Sequence, residues 1–225
     1  QYYDFTVTNN FGSDAYYGTT PADSDIWILS NFKFDYQSGG SFVTGNNTAG
    51  AYGTAVRLSD IQGGKMRLYS ADGGTRMHAV LSQGAIAPTT SDLDTKPNNY
   101  FEWSFDSGNP GTLDLSWIDS FDFLSRMTVD AKGNQTPAPN KVTFGAGASV
   151  STKVLGDRLQ TYVDRPGGNY SWLGTGSGGF SQSLTYSGAS NVVRWSTNNS
   201  GAAKDTSGST IPVNAPSIGS FTKAI

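Results

Sequence analysis

Apolar and polar residues alternate in short runs along this chain, and each run is closed by Gly, Asn, Asp or Ser. Residues 2–8 alternate and end at Asn9-Asn10; residues 26–29 form a short apolar run. In 65–69, Met66 and Leu68 oppose Lys65 and Arg67, after the turn pair Gly63-Gly64. Residues 77–81 follow Asp72-Gly73-Gly74, a turn signal that predicts a hairpin there. Further runs lie at 100–105, 113–118, 126–129, 141–144 and 191–195. A period of two is that of a half-buried strand, because successive side chains point to opposite faces. Strands this short, at this spacing, predict a mostly β fold of sandwich or barrel type.

Helical periodicity is confined to one short stretch, 153–163, where Leu155, Leu159 and Tyr162 or Val163 recur at helical spacing and Gly156 weakens the signal. A Gly/Ser-rich loop carrying Tyr170 and Trp172 is expected over 167–179. Periodicity is lost after Thr197, where Pro212 and Pro216 extend the chain. The expected organisation is one β-rich domain over 1–196 with an irregular tail over 197–225.

Composition narrows the function. The 225 residues carry a net charge of −3 with only 15% charged residues, so no basic surface is expected for nucleic acid or anionic lipid. Without cysteine there is no disulfide, no thiolate metal site and no thiol nucleophile. No stretch is apolar enough to span a bilayer as a helix, and no signal peptide is visible. The chain opens on Gln1 rather than Met, which reads as a processed N-terminus. With a surface rich in Ser, Thr, Asn and Gly, this predicts a secreted protein. Sequons start at Asn46, Asn134, Asn169 and Asn198.

Among 18 acidic residues a single one is Glu, Glu102, in Phe101-Glu102-Trp103-Ser104-Phe105-Asp106. Strand parity puts Phe101, Trp103 and Phe105 on one face and Glu102, Ser104 and Asp106 on the other. Turn formers at 107–111 predict that the following strand folds back as a loose hairpin. That strand ends in Ser116-Trp117-Ile118-Asp119-Ser120-Phe121-Asp122-Phe123, where Asp119 falls in phase with the apolar row Leu113, Leu115 and Trp117. A bulge re-aims that carboxylate or it is half-buried. Two carboxyls on neighbouring strands across a groove are what glycoside hydrolysis requires, at about 5–5.5 Å for retention or about 6.5–9.5 Å for inversion.

The order of four segments resembles glycoside hydrolase family 64, β-1,3-glucanases related in fold to thaumatin-like proteins. The segments are Phe5-Thr6-Val7-Thr8-Asn9-Asn10, Ile61-Gln62-Gly63-Gly64-Lys65-Met66-Arg67-Leu68-Tyr69-Ser70, the Glu102 strand, and the stretch holding Asp119. The resemblance covers residues 1–130. It implies a thaumatin-like sandwich or barrel and an inverting, endo-acting β-1,3-glucan hydrolase that needs no cofactor or metal. Glu102 would be general acid and Asp119 general base, with Ser104, Asp106 and Ser116 binding the glucan. The chain departs from the family in several respects: it is shorter, it has no groove tryptophan near Gly111-Thr112, Ser104 and Asp106 stand where Thr and Asn are usual, Asp122 stands where a small residue is usual, and Leu124-Ser125 replaces a frequent Pro. A non-catalytic glucan-binding module and a self-assembling extracellular protein using the C-terminal tail are the alternatives.

The remaining candidates read as structural. His78 is the sole histidine and has no cysteine or second histidine to share a metal with. Asp92 and Asp94, like Asp23 and Asp25, lack calcium-loop spacing. The Gly-rich run 174–179 lacks the Lys-Ser/Thr of a phosphate loop.

Overall fold

A computed structural model describes residues 1–11, 20–105, 112–116, 120–123, 125–130, 141–145, 181–186 and 189–196. Over these the chain is mostly β, and every strand pairing is antiparallel. The strands are β1 (Tyr2–Thr6), β2 (Ile26–Ser30), β3 (Phe34–Ser38), β4 (Ser41–Asn46), β5 (Val56–Arg57), β6 (Lys65–Tyr69) and β7 (Met77–Leu81). They continue as β8 (Asn98–Ser104), β9 (Thr112–Ser116), β10 (Ser120–Phe121), β11 (Arg126–Asp130), β12 (Lys141–Gly145), β13 (Ser181–Tyr186) and β14 (Ala189–Ser196). One sheet runs β1-β6-β3-β4 and a second runs β5-β2-β7-β8-β9, with smaller groups β10-β14-β13 and β11-β12.

The two larger sheets share one apolar cluster. Phe34, Met66 and Leu68 come from the first, and Ile26, Ile28, Met77, Leu81, Phe101 and Trp103 from the second. Phe5 of β1 stacks on Phe101 of β8 at 5.0 Å. Strand β2 shows how the pattern dictates this. Its sequence IWILS is buried throughout, with Ile26 and Ile28 in the shared cluster and Trp27 and Leu29 in a second one with Ala55 and Val80. A strand covered on both faces has no polar positions to spare, hence a continuous apolar run. In β8 the burial alternates from Phe101 on, where Phe101 and Trp103 are buried and Glu102 and Ser104 are half-buried.

The turn signal at Asp72-Gly73-Gly74 does not make a hairpin. Strand β6 lies in the first sheet and β7 in the second, so the two glycines, at φ 135° and 69°, carry the chain from one sheet to the other. Local φ freedom permits a reversal, but it does not choose the partner of the following strand. Strands β3, β4, β5 and β13 carry no sequence prediction, and β10 lies in the stretch read as the end of the strand after Glu102 but pairs with β14; β4 sits at a sheet edge with Val43 exposed, where no burial enforces alternation. The helix expected at 153–163, the loop at 167–179 and the tail at 197–225 lie outside the described residues. Among the described residues no helix is long and apolar enough to cross a membrane.

One hydroxyl extends the pairing of β7 and β8 beyond the start of β7. Thr75, fully buried, donates its Oγ1–H to the Trp103 carbonyl and accepts from the Trp103 N–H at 2.8 Å. It satisfies both backbone groups before β7 begins to pair. Thr75→Val keeps the shape and orphans both, so the unfolding free energy falls by about 2–4 kcal/mol. Urea denaturation with an unchanged m value is the check.

Candidate functional site

The face of the second sheet that turns away from the shared cluster is built by register. Strand β7 sets His78 opposite Tyr100 and Val80 opposite Asn98. Strand β2 sets Leu29 opposite His78 and Trp27 opposite Val80. On the other side, β9 sets Asp114 opposite Glu102, Thr112 opposite Ser104 and Ser116 opposite Tyr100. The hairpin expected between the Glu102 strand and the next one is therefore present. Across this face an apolar patch around Trp27 grades into a polar row ending at Glu102.

Glu102 and Ser104 are half-buried on this face, while Phe101, Trp103 and Phe105 are buried on the other, as parity predicted. Ser116 holds a register position two residues short of the Glu102–Asp114 pair. Asp106 and Asp119 lie outside the described residues. The segments that flank Asp119 are both anchored on β8, the strand that carries Glu102. Ser116 pairs with Tyr100, and Asp122 Oδ2 accepts from the Asn98 N–H at 2.6 Å. The Asp122 N–H in turn donates to Asn99 Oδ1 at 3.3 Å, and Asn99 Nδ2 donates to the Phe123 carbonyl and, at 3.1 Å, to Ser125. Asp122 is fully buried. The Asp122 carboxylate thus clamps the chain after Asp119 to the start of β8.

Sequence reasoning passed over Arg76. Its Nε donates to Glu102 Oε1 at 2.9 Å, and its guanidinium lies 4.7 Å over the Tyr100 ring. Asn31 places it, accepting from the Arg76 N–H at 2.6 Å while donating to the Gly74 carbonyl. Both side chains of the ion pair are about a third exposed or more, so it contributes at most about 1 kcal/mol. What it supplies is orientation and charge balance where the register brings Glu102 and Asp114 together.

Beyond Tyr100 the polar row continues into the core. The His78 ring, 5.0 Å from that of Tyr100, is buried between Asn98 and Tyr52. Its Nδ1 is 3.0 Å from Asn98 Oδ1, and its Nε2 is 2.9 Å from the Tyr52 hydroxyl. Burial pushes the Tyr52 phenol above the usual tyrosine range; Arg76 pulls it down and Glu102 pushes it up. The phenol is therefore protonated at neutral pH. Tyr52 comes from the loop between β4 and β5, too far in sequence from His78 for spacing to reveal the pairing.

Of the acids read as structural, Asp92 and Asp25 cap turns and Asp23 accepts from a side chain. Asp92 accepts from the Thr89 N–H at 2.7 Å, which with Lys96 at 3.2 Å holds its carboxyl below the ordinary range. Asp25 accepts from the Ala22 N–H, and Asp23 from Asn9. Among the described residues no group of three His, Cys, Asp or Glu could hold a metal ion. In comparisons with family models, curated proteins and solved structures, none matches this chain.

Proposed function

We propose that this protein is a secreted β-1,3-glucan hydrolase of thaumatin-like architecture, acting through Glu102 as general acid. One observation carries the reading. The sole glutamate of the chain stands on the polar, partly exposed side of a strand whose other side is core, beside the Tyr100 ring and in line with Ser104. A sugar chain laid along this face finds hydroxyl and carboxyl groups to hydrogen-bond, and a carboxyl whose backbone is held by the core behind it. The anchored flanks of Asp119 support its role as general base.

The register adds a specific rival for that role. Residues directly opposite on antiparallel strands have Cβ atoms about 4.5–5.5 Å apart. Asp114, opposite Glu102, is thus near enough to be its partner in a retaining mechanism, whereas a water-activating Asp119 implies inversion. Following laminarin hydrolysis by proton NMR reads the anomer of the first product. Inversion, with loss of at least about a hundredfold in kcat for both Glu102→Gln and Asp119→Asn, is the expected result. Retention, with Asp114→Asn inactive and Asp119→Asn active, transfers the role to Asp114. Hydrolysis that survives Glu102→Gln removes the assignment. Saturable binding to curdlan without release of reducing ends selects the binding module.

A further inference from the structure

The hydrogen-bond chain behind Glu102 has a definite direction. Asn98 Nδ2 spends its two hydrogens on the carbonyls of Leu93 at 2.8 Å and Lys96 at 3.0 Å. Its Oδ1 is therefore the acceptor facing His78. His78 Nδ1 must carry the proton it donates there, at 3.0 Å. In the neutral ring that leaves Nε2 as an acceptor, so the Tyr52 O–H, 2.9 Å away, donates to it. The chain of donors thus runs Tyr52 to His78 to Asn98 to the two carbonyls. Tyr52 has its hydrogen committed inward, and no other described residue hydrogen-bonds to its oxygen.

Tyr52 also sits with the candidate site. Its ring is 5.7 Å from His78, which is 5.0 Å from Tyr100, over which Arg76 lies in contact with Glu102. Only half-buried, it is the one member of the Tyr52–His78–Asn98 chain that is not fully buried.

We infer that Tyr52 is a further ligand-contacting residue of this face, set by His78 and Asn98 to accept and not donate, so that the ligand must bring a hydrogen-bond donor to it, as a sugar hydroxyl does. A carboxylate or phosphate brings only acceptors to an oxygen that has no hydrogen left to give. It also meets two carboxylates that the register pairs, Glu102 and Asp114, the first already in contact with Arg76. A sugar hydroxyl supplies the missing donor. The inference rests on the glucan reading and adds which chemistry the face selects and which residue does the selecting.

Because His78 is the sole histidine, its tautomer can be read without assignment from a long-range proton–nitrogen correlation spectrum of the labelled wild-type chain. A proton on Nδ1 alone at neutral pH is expected. A proton on Nε2, or on both nitrogens, overturns the direction argued here. This measurement needs no variant and no substrate, so it stands apart from the hydrolase reading.

The ligand contact is tested by calorimetry with laminarin and its carboxymethylated form. Wild type is expected to prefer the uncharged glucan, and Tyr52→Phe to lose about five- to tenfold in affinity, the worth of one hydrogen bond, while His78 keeps its proton on Nδ1. Unchanged affinity in Tyr52→Phe, or preference for the charged polymer, overturns the contact while leaving the hydrolase reading intact. A wild-type chain that binds neither polymer overturns that reading and the contact with it.

Discussion

Trp103→Ala lowers the unfolding free energy by about 3–5 kcal/mol, the range for removing a fully buried indole from a packed core. The residue is 2% exposed and sits on β8 with Phe101 at 5.6 Å and Phe32 at 6.1 Å. Its indole also crosses between sheets, since Nε1 donates to the Tyr69 carbonyl at the end of β6, 3.0 Å away. Alanine therefore leaves a cavity and an unpaired carbonyl together. Trp103→Phe leaves the same carbonyl unpaired but a smaller cavity, because it keeps a six-membered ring; its cost is expected at about 1–3 kcal/mol. Ile86→Ala is the control. It removes an apolar side chain that is 84% exposed and should stay within about 0.5 kcal/mol of wild type. Denaturant midpoints at constant m value distinguish the three. A loss under about 1.5 kcal/mol for Trp103→Ala would mean that the two sheets do not meet through this side chain.

Gly64→Ala is expected to cost at least about 3 kcal/mol, against about 1–2 kcal/mol for its neighbour Gly63→Ala. Both glycines have positive φ, 62° and 65°, so both substitutions incur the left-handed penalty. Their surroundings differ. A Cβ on Gly63 meets nothing nearer than the Lys65 side chain at 4.0 Å, whereas one on Gly64 falls 1.9 Å from the Val7 carbonyl oxygen. That atom belongs to the backbone, so no rotamer relieves the clash. The chain after β1 must move, and the 2.9 Å bond from the Val7 N–H to the Gly64 carbonyl goes with it. Thermal unfolding of the two variants side by side provides the measurement. Equal losses would refute the close approach and leave only the φ penalty.

The alternation around Glu102 illustrates how far reading along the chain reaches. Parity alone separates Phe101, Trp103 and Phe105 from Glu102 and Ser104, and the turn formers after Phe105 are enough to expect β9 beside β8. The bounds of β6 and β7 follow from alternation and flanking glycines with no tertiary information. The same reasoning fails at Asp72-Gly73-Gly74, where a turn signal is obeyed locally while the chain changes sheets. It fails again at β3 and β4: on β3 only Phe34 is fully buried, and β4 is an edge strand, so weak burial leaves the pattern faint.

The candidate site divides in the same way. Glu102 is legible as an isolated carboxyl on a polar strand face. Arg76, Tyr52, His78 and Asp122 are not, because each earns its meaning from a partner elsewhere in the chain. Arg76 meets Glu102 across 26 residues, and Asp122 meets the Asn98 amide across 24. Nothing local to Asp122 distinguishes a surface carboxylate from a fully buried clamp.

What the residues determine by themselves about this protein is therefore periodic and local: the antiparallel strands, which face of β8 is apolar, and the absence of thiol chemistry. These follow from side-chain direction and hydrophobic burial, which act within a few residues. The tertiary structure alone decided which sheet receives β7, that Asp114 faces Glu102, and that His78 lies between Tyr52 and Asn98. Those outcomes depend on register between distant strands, which is set by how two sheets pack their side chains together and leaves no periodic trace in either strand alone.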